Sequence, residues 1–335
     1  MVNVSMWAKA ISVIPRVDKS EWDGLDVISR WLIATRSAVL VMTFNSAAIA
    51  GLLAARDGNF DGLLWGLVTI GLLFAHATNN LVNDLTDHWK GVDKDNYFRS
   101  QYGPQPLEHG LMTQNQVLTY TAVTGLIALA AGIALVVLRG EATLMLLGAG
   151  VFFVLFYTWP LKYIGMGEVA VIVVWGPLMV GGGYYVITGA ISNTILVASL
   201  PVALAATTVL FGKHTDKLQA DQAKGIRTMP VLLGERNARW ATIGMLTLQY
   251  LLVVWLVATG ALSWLLLIVF GAGNWYWLSL RAYSQPRPAA PPAEYPPNIW
   301  PLWYAAFAFQ HTRRFGLLFL LGLVLDVAAR RAGIV

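Results

Sequence analysis

Asn83, Asp84 and Asp87 stand at spacing i, i+1 and i+4, which on a helix advancing about 100° per residue puts one amide and two carboxylates on a single face. Oxygen ligands grouped this way suit magnesium, which takes one or two protein carboxylates and completes its shell with water and phosphate oxygens. A second run, Lys213-His214-Thr215-Asp216-Lys217-Leu218-Gln219-Ala220-Asp221, again carries carboxylates, so Asp216 and Asp221 join the candidate metal ligands. The two runs share a pattern: Asp87-x-x-Lys90-Gly91-Val92 and Asp221-x-x-Lys224-Gly225-Ile226 both read Asp-x-x-Lys-Gly-aliphatic, each just after an apolar stretch. Weak internal symmetry of this sort is expected when two halves of a membrane chain build one site. Two carboxylate clusters flanked by Lys90, Lys217, Lys224 and Arg227 make a diphosphate trap, in which metal bridges carboxylates to phosphate oxygens and the cations neutralise the remainder. The chemistry that follows is ionisation of an allylic carbon–oxygen bond and capture of the carbocation by an electron-rich acceptor, away from water. Asp87 and Asp221 are the carboxylates on which that turnover should depend.

Such groups need elements to hold them, and the composition says which kind. The chain has 335 residues, 57% hydrophobic and 12% charged, with a mean hydropathy of +0.59, far from the balance of soluble domains. It contains no cysteine, which excludes disulfides and thiolate metal sites. The five histidines show no zinc-type spacing. A net charge of +5 has no basic stripe with interleaved stacking aromatics behind it, so nucleic acid is not an expected partner. Apolar stretches long enough to cross a bilayer number about nine, over residues 31–54, 62–82, 117–138, 142–159, 169–187, 194–211, 240–258, 262–280 and 315–329. Residues 1–30 mix both charges and lack a signal-peptide pattern, so they are expected to lie at the interface with Trp7 and Trp22 in the headgroup zone, ahead of one polytopic domain over 31–335. The proline-rich connection within 284–314 reads as a semi-rigid spacer. Gly181, Gly182 and Gly183 lie in an apolar stretch and point to close helix packing rather than a phosphate loop.

Lys and Arg sort strongly by side. The N-terminal segment and the connections after the second, fourth, sixth and eighth stretches hold nearly all of them, whereas the opposite side holds only Arg56, Arg139, Arg330 and Arg331. The positive-inside rule then places both carboxylate runs on the cytoplasmic side of a multi-pass protein of the cell membrane. The expected fold is an all-α membrane bundle of about nine transmembrane helices, with a central cavity open to the cytoplasm.

These residues resemble the UbiA superfamily of membrane prenyltransferases. Asn83, Asp84 and Asp87 match its first motif without gaps, and Lys90-Gly91-x-Asp93, with the stretch from Gly103-Pro104 to Thr113, is most similar to the 1,4-dihydroxy-2-naphthoate (menaquinone) branch. The segment Tyr157-Thr158-x-Pro160-Leu161-Lys162-Tyr163 is similar to the family's substrate-lining loop, which implies Tyr157 as a catalytic-pocket residue and Lys162 as a diphosphate ligand. Arg36 matches the family's diphosphate-facing arginine. The resemblance implies Mg2+ as cofactor, a prenyl diphosphate as donor, an aromatic or lipid acceptor, and membrane lipid as the surroundings. A quinone precursor is the expected product; another aromatic, a tetrapyrrole alcohol or a glycerol phosphate lipid are alternative acceptors, and a cation-coupled transporter is the non-enzymatic alternative. The second motif departs from the family's two aspartates four apart. Asp216 and Asp221 lie five apart, roughly 140° around an ideal helix, while Lys217 shares the Asp221 face. The expectation is therefore Asp221 on metal, Lys217 on phosphate oxygens, and Asp216 as a weaker ligand. Glu168 is expected either to meet a helix N-terminus or to hold Lys162.

Overall fold

The computed structural model describes residues 2–92, 103–296 and 299–334. Asp93, part of the first motif's resemblance, lies outside them. The described residues form helices and connections without a strand. They divide into two compact units, one of residues 1–44 and 67–160, the other of 45–66 and 161–335.

In the first unit, three short helices, Val4–Ser12, Lys19–Gly24 and Val27–Ala34, are each started by a side chain accepting a backbone N–H: Asn3, Asp18 and Asp26. Asp26 also accepts from the Trp7 indole (3.1 Å) and the Asn3 amide (3.1 Å), tying the first helix to the third. Their apolar sides join Leu81, Leu85, Leu111 and Met112 in one core. Trp22, expected among lipid headgroups, is instead 2% exposed within that core, because its helix lies against protein rather than facing outward. The expected stretch 31–54 is interrupted. Arg36 adopts φ 55°, a left-handed conformation costing a non-glycine residue roughly 1–2 kcal/mol, and the continuous helix resumes only at Ser37–Arg56. The Thr35 carbonyl at this break accepts from Asn80 Nδ2 (2.8 Å). Gly62–Trp89 runs for 28 residues, past the expected end at 82, and so carries the Asn83–Asp87 face on regular helix. Gln114–Arg139 opens with a Thr113/Gln116 capping box, and Gly140, at φ 97°, turns the chain directly into Glu141–Phe156.

In the second unit, Gly167–Thr188 is one apolar rod with a π-helical segment at Val174–Gly181. Pro177 sits inside it, and a proline that neither donates an N–H nor tolerates the preceding turn's carbonyl explains the widened turn. Glycine allows close packing here: a Cβ on Gly176 would come within 2.9 Å of Ala203 Cβ, and one on Gly181 within 2.9 Å of Leu196 Cδ2. Both neighbours belong to Asn193–Asp216, the most buried helix of the unit. Glu235–Ala258 and Tyr304–Arg331 pack on its other sides.

Among the described residues six helices are long and apolar enough to cross a membrane: Ser37–Arg56, Gly62–Trp89, Gln114–Arg139, Gly167–Thr188, Asn193–Asp216 and Glu235–Ala258. The other three expected stretches are also helical. The fourth is the 16-residue Glu141–Phe156, the eighth is a 3-10 run Trp264–Ala272 leading into Gly273–Ser284, and the last lies within Tyr304–Arg331, which carries Arg313, Arg314 and Asp326.

Candidate functional site

The repeated Asp-x-x-Lys-Gly-aliphatic pattern has a local cause that is the same in both units. Each Asp stands three residues before its helix cap. Gly91 takes φ 64° and Gly225 φ 69°. The Gly91 N–H donates to His88 O (2.9 Å) and the Val92 N–H to Asp87 O (2.9 Å); likewise Gly225 donates to Gln222 O (3.1 Å) and Ile226 to Asp221 O (2.9 Å). This is the Schellman arrangement, which needs glycine at the left-handed position and seats an aliphatic residue after it. Val92 and Ile226 are accordingly buried. Lys90 and Lys224 occupy the cap positions, where a cation suits the carbonyl end of a helix, and both are exposed. The motif thus fixes where each helix stops and holds one carboxylate a turn inside that stop.

In the first unit, Asp84 and Asp87 are buried (4% and 5% exposed) on the Gly62–Trp89 helix. Arg36 Nη2 bonds Asp84 Oδ1, so the left-handed break before Ser37 is also what delivers the guanidinium to the carboxylate. Asn83 donates through Nδ2 to Thr158 Oγ1 (3.1 Å) and Asn79 to Val154 O (2.9 Å). With its nitrogen so engaged, the Asn83 amide offers its oxygen as the remaining acceptor. These bonds tie the motif to the Tyr157–Pro160 turn, in which Tyr157 caps Glu141–Phe156. Lys90 Nζ stands 4.8 Å over the Trp159 ring, a cation–π contact at the same turn.

In the second unit the helix breaks between the two aspartates. Asn193–Asp216 ends, Lys217 takes φ −109° and ψ 18°, and Leu218–Ala223 begins. Lys217 Nζ lies 2.8 Å from Asp221 Oδ1, the shared face that the spacing implies. The other Asp221 oxygen, Oδ2, is buried without a hydrogen-bond partner among the described residues. Asp216 is turned elsewhere. Expected as a metal ligand, it accepts the backbone N–H groups of Tyr304 (3.0 Å, Oδ1) and Ala305 (2.9 Å, Oδ2), with Arg287 at 3.8 Å. Those donors open the Tyr304–Arg331 helix, whose first N–H groups have no partner of their own, so Asp216 serves as a cap supplied from 88 residues away. The approach is close because Gly212, one turn earlier, has no side chain: a Cβ there would fall 2.8 Å from Ala305 N.

Glu168 stands in the first turn of the Gly167–Val173 helix, the N-terminal setting expected of it. Its Oε1 lies 2.5 Å from His214 Nδ1, and its Oε2 accepts the Met229 N–H (3.3 Å). Both side chains of the Glu168–His214 pair are buried. Together with the Arg227 N–H donating to Tyr163 O (3.3 Å), this pair clamps the Asp221 segment at both of its flanks. Lys162 is buried in the short 3-10 turn Leu161–Ile164, with Nζ 5.6 Å over the Tyr163 ring. Arg227 is exposed.

Among the described residues no three acidic or histidine side chains gather closely enough to hold a metal alone. The donors present are oxygen-rich and few, and one buried oxygen of Asp221 has no hydrogen-bond partner among the described residues. That fits magnesium, which keeps water and substrate phosphate in its shell and needs few protein ligands.

A profile of the UbiA prenyltransferase family matches residues 44–302. The chain belongs to the UbiA prenyltransferase family. It is 31% identical over 221 residues to the 1,4-dihydroxy-2-naphthoate octaprenyltransferase of Escherichia coli K12, covering 62% of this chain and 70% of that protein. It is 27% identical over 225 residues to the UbiA prenyltransferase domain-containing protein 1 of Gallus gallus, covering 66% of this chain and 67% of that one. The fold is similar to that of a UbiA homologue from Archaeoglobus fulgidus solved with GPP and Mg2+ (TM-score 0.57, 16% identity, 89% of this chain and 99% of that one). A digeranylgeranylglyceryl phosphate synthase is similar to the same degree (TM-score 0.57, 16% identity, 89% and 97%). As a UbiA prenyltransferase the protein is a multi-pass membrane enzyme, of the branch that the Lys90-Gly91 motif indicates.

Within this UbiA chain, sequence reading missed the Glu168–His214 pair and the partners of Asp216. The signal for the first was a glutamate at the mouth of an apolar stretch, where an unpaired charge is costly. Nothing local in the sequence points to Tyr304 and Ala305.

Proposed function

We propose that this prenyltransferase joins an isoprenyl chain from a prenyl diphosphate to a hydroxyl-activated aromatic ring, with a dihydroxynaphthoate as first-choice acceptor and a quinone precursor as product. The observation that carries the reading is the matched setting of Asp87 and Asp221: each is buried one turn inside a Lys-Gly-aliphatic helix stop, and one oxygen of Asp221 is open. The acceptor choice rests on the similarity to the naphthoate enzyme. Magnesium bound by such carboxylates would draw off the charge of the departing diphosphate.

The chain's own residues do the rest. Asn83, Asp84, Asp87 and Asp221 present oxygen ligands, and Lys217 supplies a cation to phosphate oxygens from the Asp221 face. Arg36, Lys90, Lys162, Lys224 and Arg227 add positive charge for the same anion. As the allylic carbon–oxygen bond breaks, its electron pair leaves with the diphosphate; the ring attacks the allylic carbon and then loses a proton. Tyr157 lines the substrate side. Asp216 acts as a structural cap. In the membrane the chain makes nine crossings, with the carboxylate-bearing connections, and a cavity opening to them, on the cytoplasmic side as the Lys and Arg distribution requires.

The test is a donor-by-acceptor panel with purified protein: isoprenyl diphosphates of several lengths against dihydroxynaphthoate, hydroxybenzoate and glycerol phosphate acceptors. Prenylated naphthoate formed only with magnesium supports the reading. A product only from a non-aromatic acceptor overturns the acceptor assignment.

A further inference from the structure

We propose that the second unit carries a site for a phosphate-bearing anion, best suited to a phospholipid headgroup, at the end of its last helix remote from Asp216. A cavity of about 430 Å³ there is lined by Arg56, Arg330 and Arg331 together with Phe60, Val327 and Ala55. Tyr304–Arg331 is 28 residues long, so this end lies about 42 Å along the helix axis from the Asp216 cap. The site is therefore distinct from the Asp221 segment.

Asp326 organises it. This carboxylate is fully buried and takes Arg56 Nε at 3.1 Å on one oxygen and Arg330 Nε at 3.0 Å on the other. Arg330, which donates through Nε to Asp326, is fixed in orientation and keeps its two terminal nitrogens for a further partner, whereas Arg56 is held beside Asp326 by charge. Asp57, 3.6 Å from Arg56 Nη1, is itself held by the Tyr184 hydroxyl (2.7 Å). Three arginines against two aspartates leave one positive charge, the complement of a singly charged phosphodiester. Among the described residues no acidic side chain lines the cavity.

Placement favours a headgroup over a soluble anion. Arg56 is the last residue of the membrane-crossing Ser37–Arg56 helix, a depth at which lipid phosphates lie. Phe60 (47% exposed) and Val327 give the cavity an apolar wall. Orientation alone does not explain the cluster. By sequence this side of the chain holds only four basic residues in its connections, and three of them converge on one cavity around a buried acid.

The experiment uses the full chain in detergent, following its thermal midpoint while titrating phosphatidylglycerol, phosphatidylcholine or inorganic phosphate. Arg331→Gln is the informative variant because it leaves both ion pairs of Asp326 in place; Arg139→Gln removes a basic residue of the same predicted side outside the cavity. The expected result is a rise in midpoint with phosphatidylglycerol and not phosphatidylcholine, with apparent affinity reduced about tenfold or more by Arg331→Gln and unchanged by Arg139→Gln. A response to inorganic phosphate that Arg331→Gln removes supports the anion site and names a soluble ligand as its source. Equal responses to the two lipids with none to phosphate, or a response that Arg331→Gln leaves intact, overturns the proposal.

Discussion

Replacing Asp216 by Asn separates its two possible jobs. In the structure its oxygens accept two backbone N–H groups, at 3.0 and 2.9 Å, in a fully buried position. Hydrogen bonds to a charged acceptor contribute about 1.5–3 kcal/mol each, and neutral ones about 1 kcal/mol. The amide keeps one carbonyl acceptor at neutral strength and turns an NH2 toward the other N–H, so one bond weakens and one is lost. Relief of a buried charge offsets part of this. The net loss of stability is then about 1–3 kcal/mol, and it falls on the start of the Tyr304–Arg331 helix. The expected outcome is a lower thermal midpoint in a fixed detergent, while magnesium half-saturation of the folded enzyme is unchanged. Asp221→Asn should instead collapse turnover, and because it leaves the buried Lys217 without its carboxylate the midpoint falls as well, so the magnesium titration of the folded enzyme is what separates the two variants. If Asp216→Asn instead raises magnesium half-saturation about tenfold at an unchanged midpoint, Asp216 is a metal ligand and the cap is incidental.

Lys217→Met should weaken donor-diphosphate affinity about 10–150-fold as a lost charge-assisted contact; an unaltered titration would remove Lys217 from the site. Asp87→Ala and Asp221→Ala should each abolish prenyl transfer with the helical circular dichroism retained, and near-normal turnover in either would end the two-cluster mechanism. Single cysteines, introduced into a chain that has none, should label at Asn237 from the cytoplasmic face and at Asn59 from the opposite face; the inverse pattern would overturn the orientation. Asp26 is subject to desolvation, which raises its pKa, but hydrogen bonds from Ser29, Trp7 and Asn3 outweigh it and hold the carboxyl well below the usual range. Because the folded-state value is depressed, its contribution is complete above the ordinary carboxylate pKa near 4 and declines as pH falls toward the native value. Hydrogen exchange in residues 3–29 should accelerate over that acid range in the wild type and be flat in Asp26→Asn.

What the sequence revealed was whatever depends on short spacing. The Asn83–Asp87 face and the Lys217–Asp221 stripe follow from i, i+4 spacing and the Gly-Gly-Gly packing segment from its place in an apolar stretch, and the structure has Lys217 and Asp221 in contact at 2.8 Å. The repeated Asp-x-x-Lys-Gly-aliphatic pattern was visible, but half of its meaning was not: the Lys-Gly-aliphatic part is a helix stop, set by the left-handed glycine. Long-range partners were hidden. Asp216 meets residues 88 and 89 positions away, and Glu168 meets His214 at a separation of 46. The glutamate at the mouth of an apolar stretch signals only that a partner is needed, not which one, and the Asp216 pairing leaves no local trace. The break at Thr35–Arg36 was masked for another reason, since a run of apolar residues reads as unbroken whether or not one residue inside it takes φ 55°. Trp22 illustrates the same limit, because an amphipathic segment suits a lipid surface and a protein surface alike.

Magnesium-dependent prenyl transfer governed by Asp87 and Asp221 can be measured by incubating purified protein with radiolabelled prenyl diphosphate and dihydroxynaphthoate and following diphosphate release and prenylated product together. The expected result is equimolar release and product that require magnesium and vanish in both Asp87→Ala and Asp221→Ala. Product formed at the wild-type rate without divalent metal, or by either variant, would contradict it.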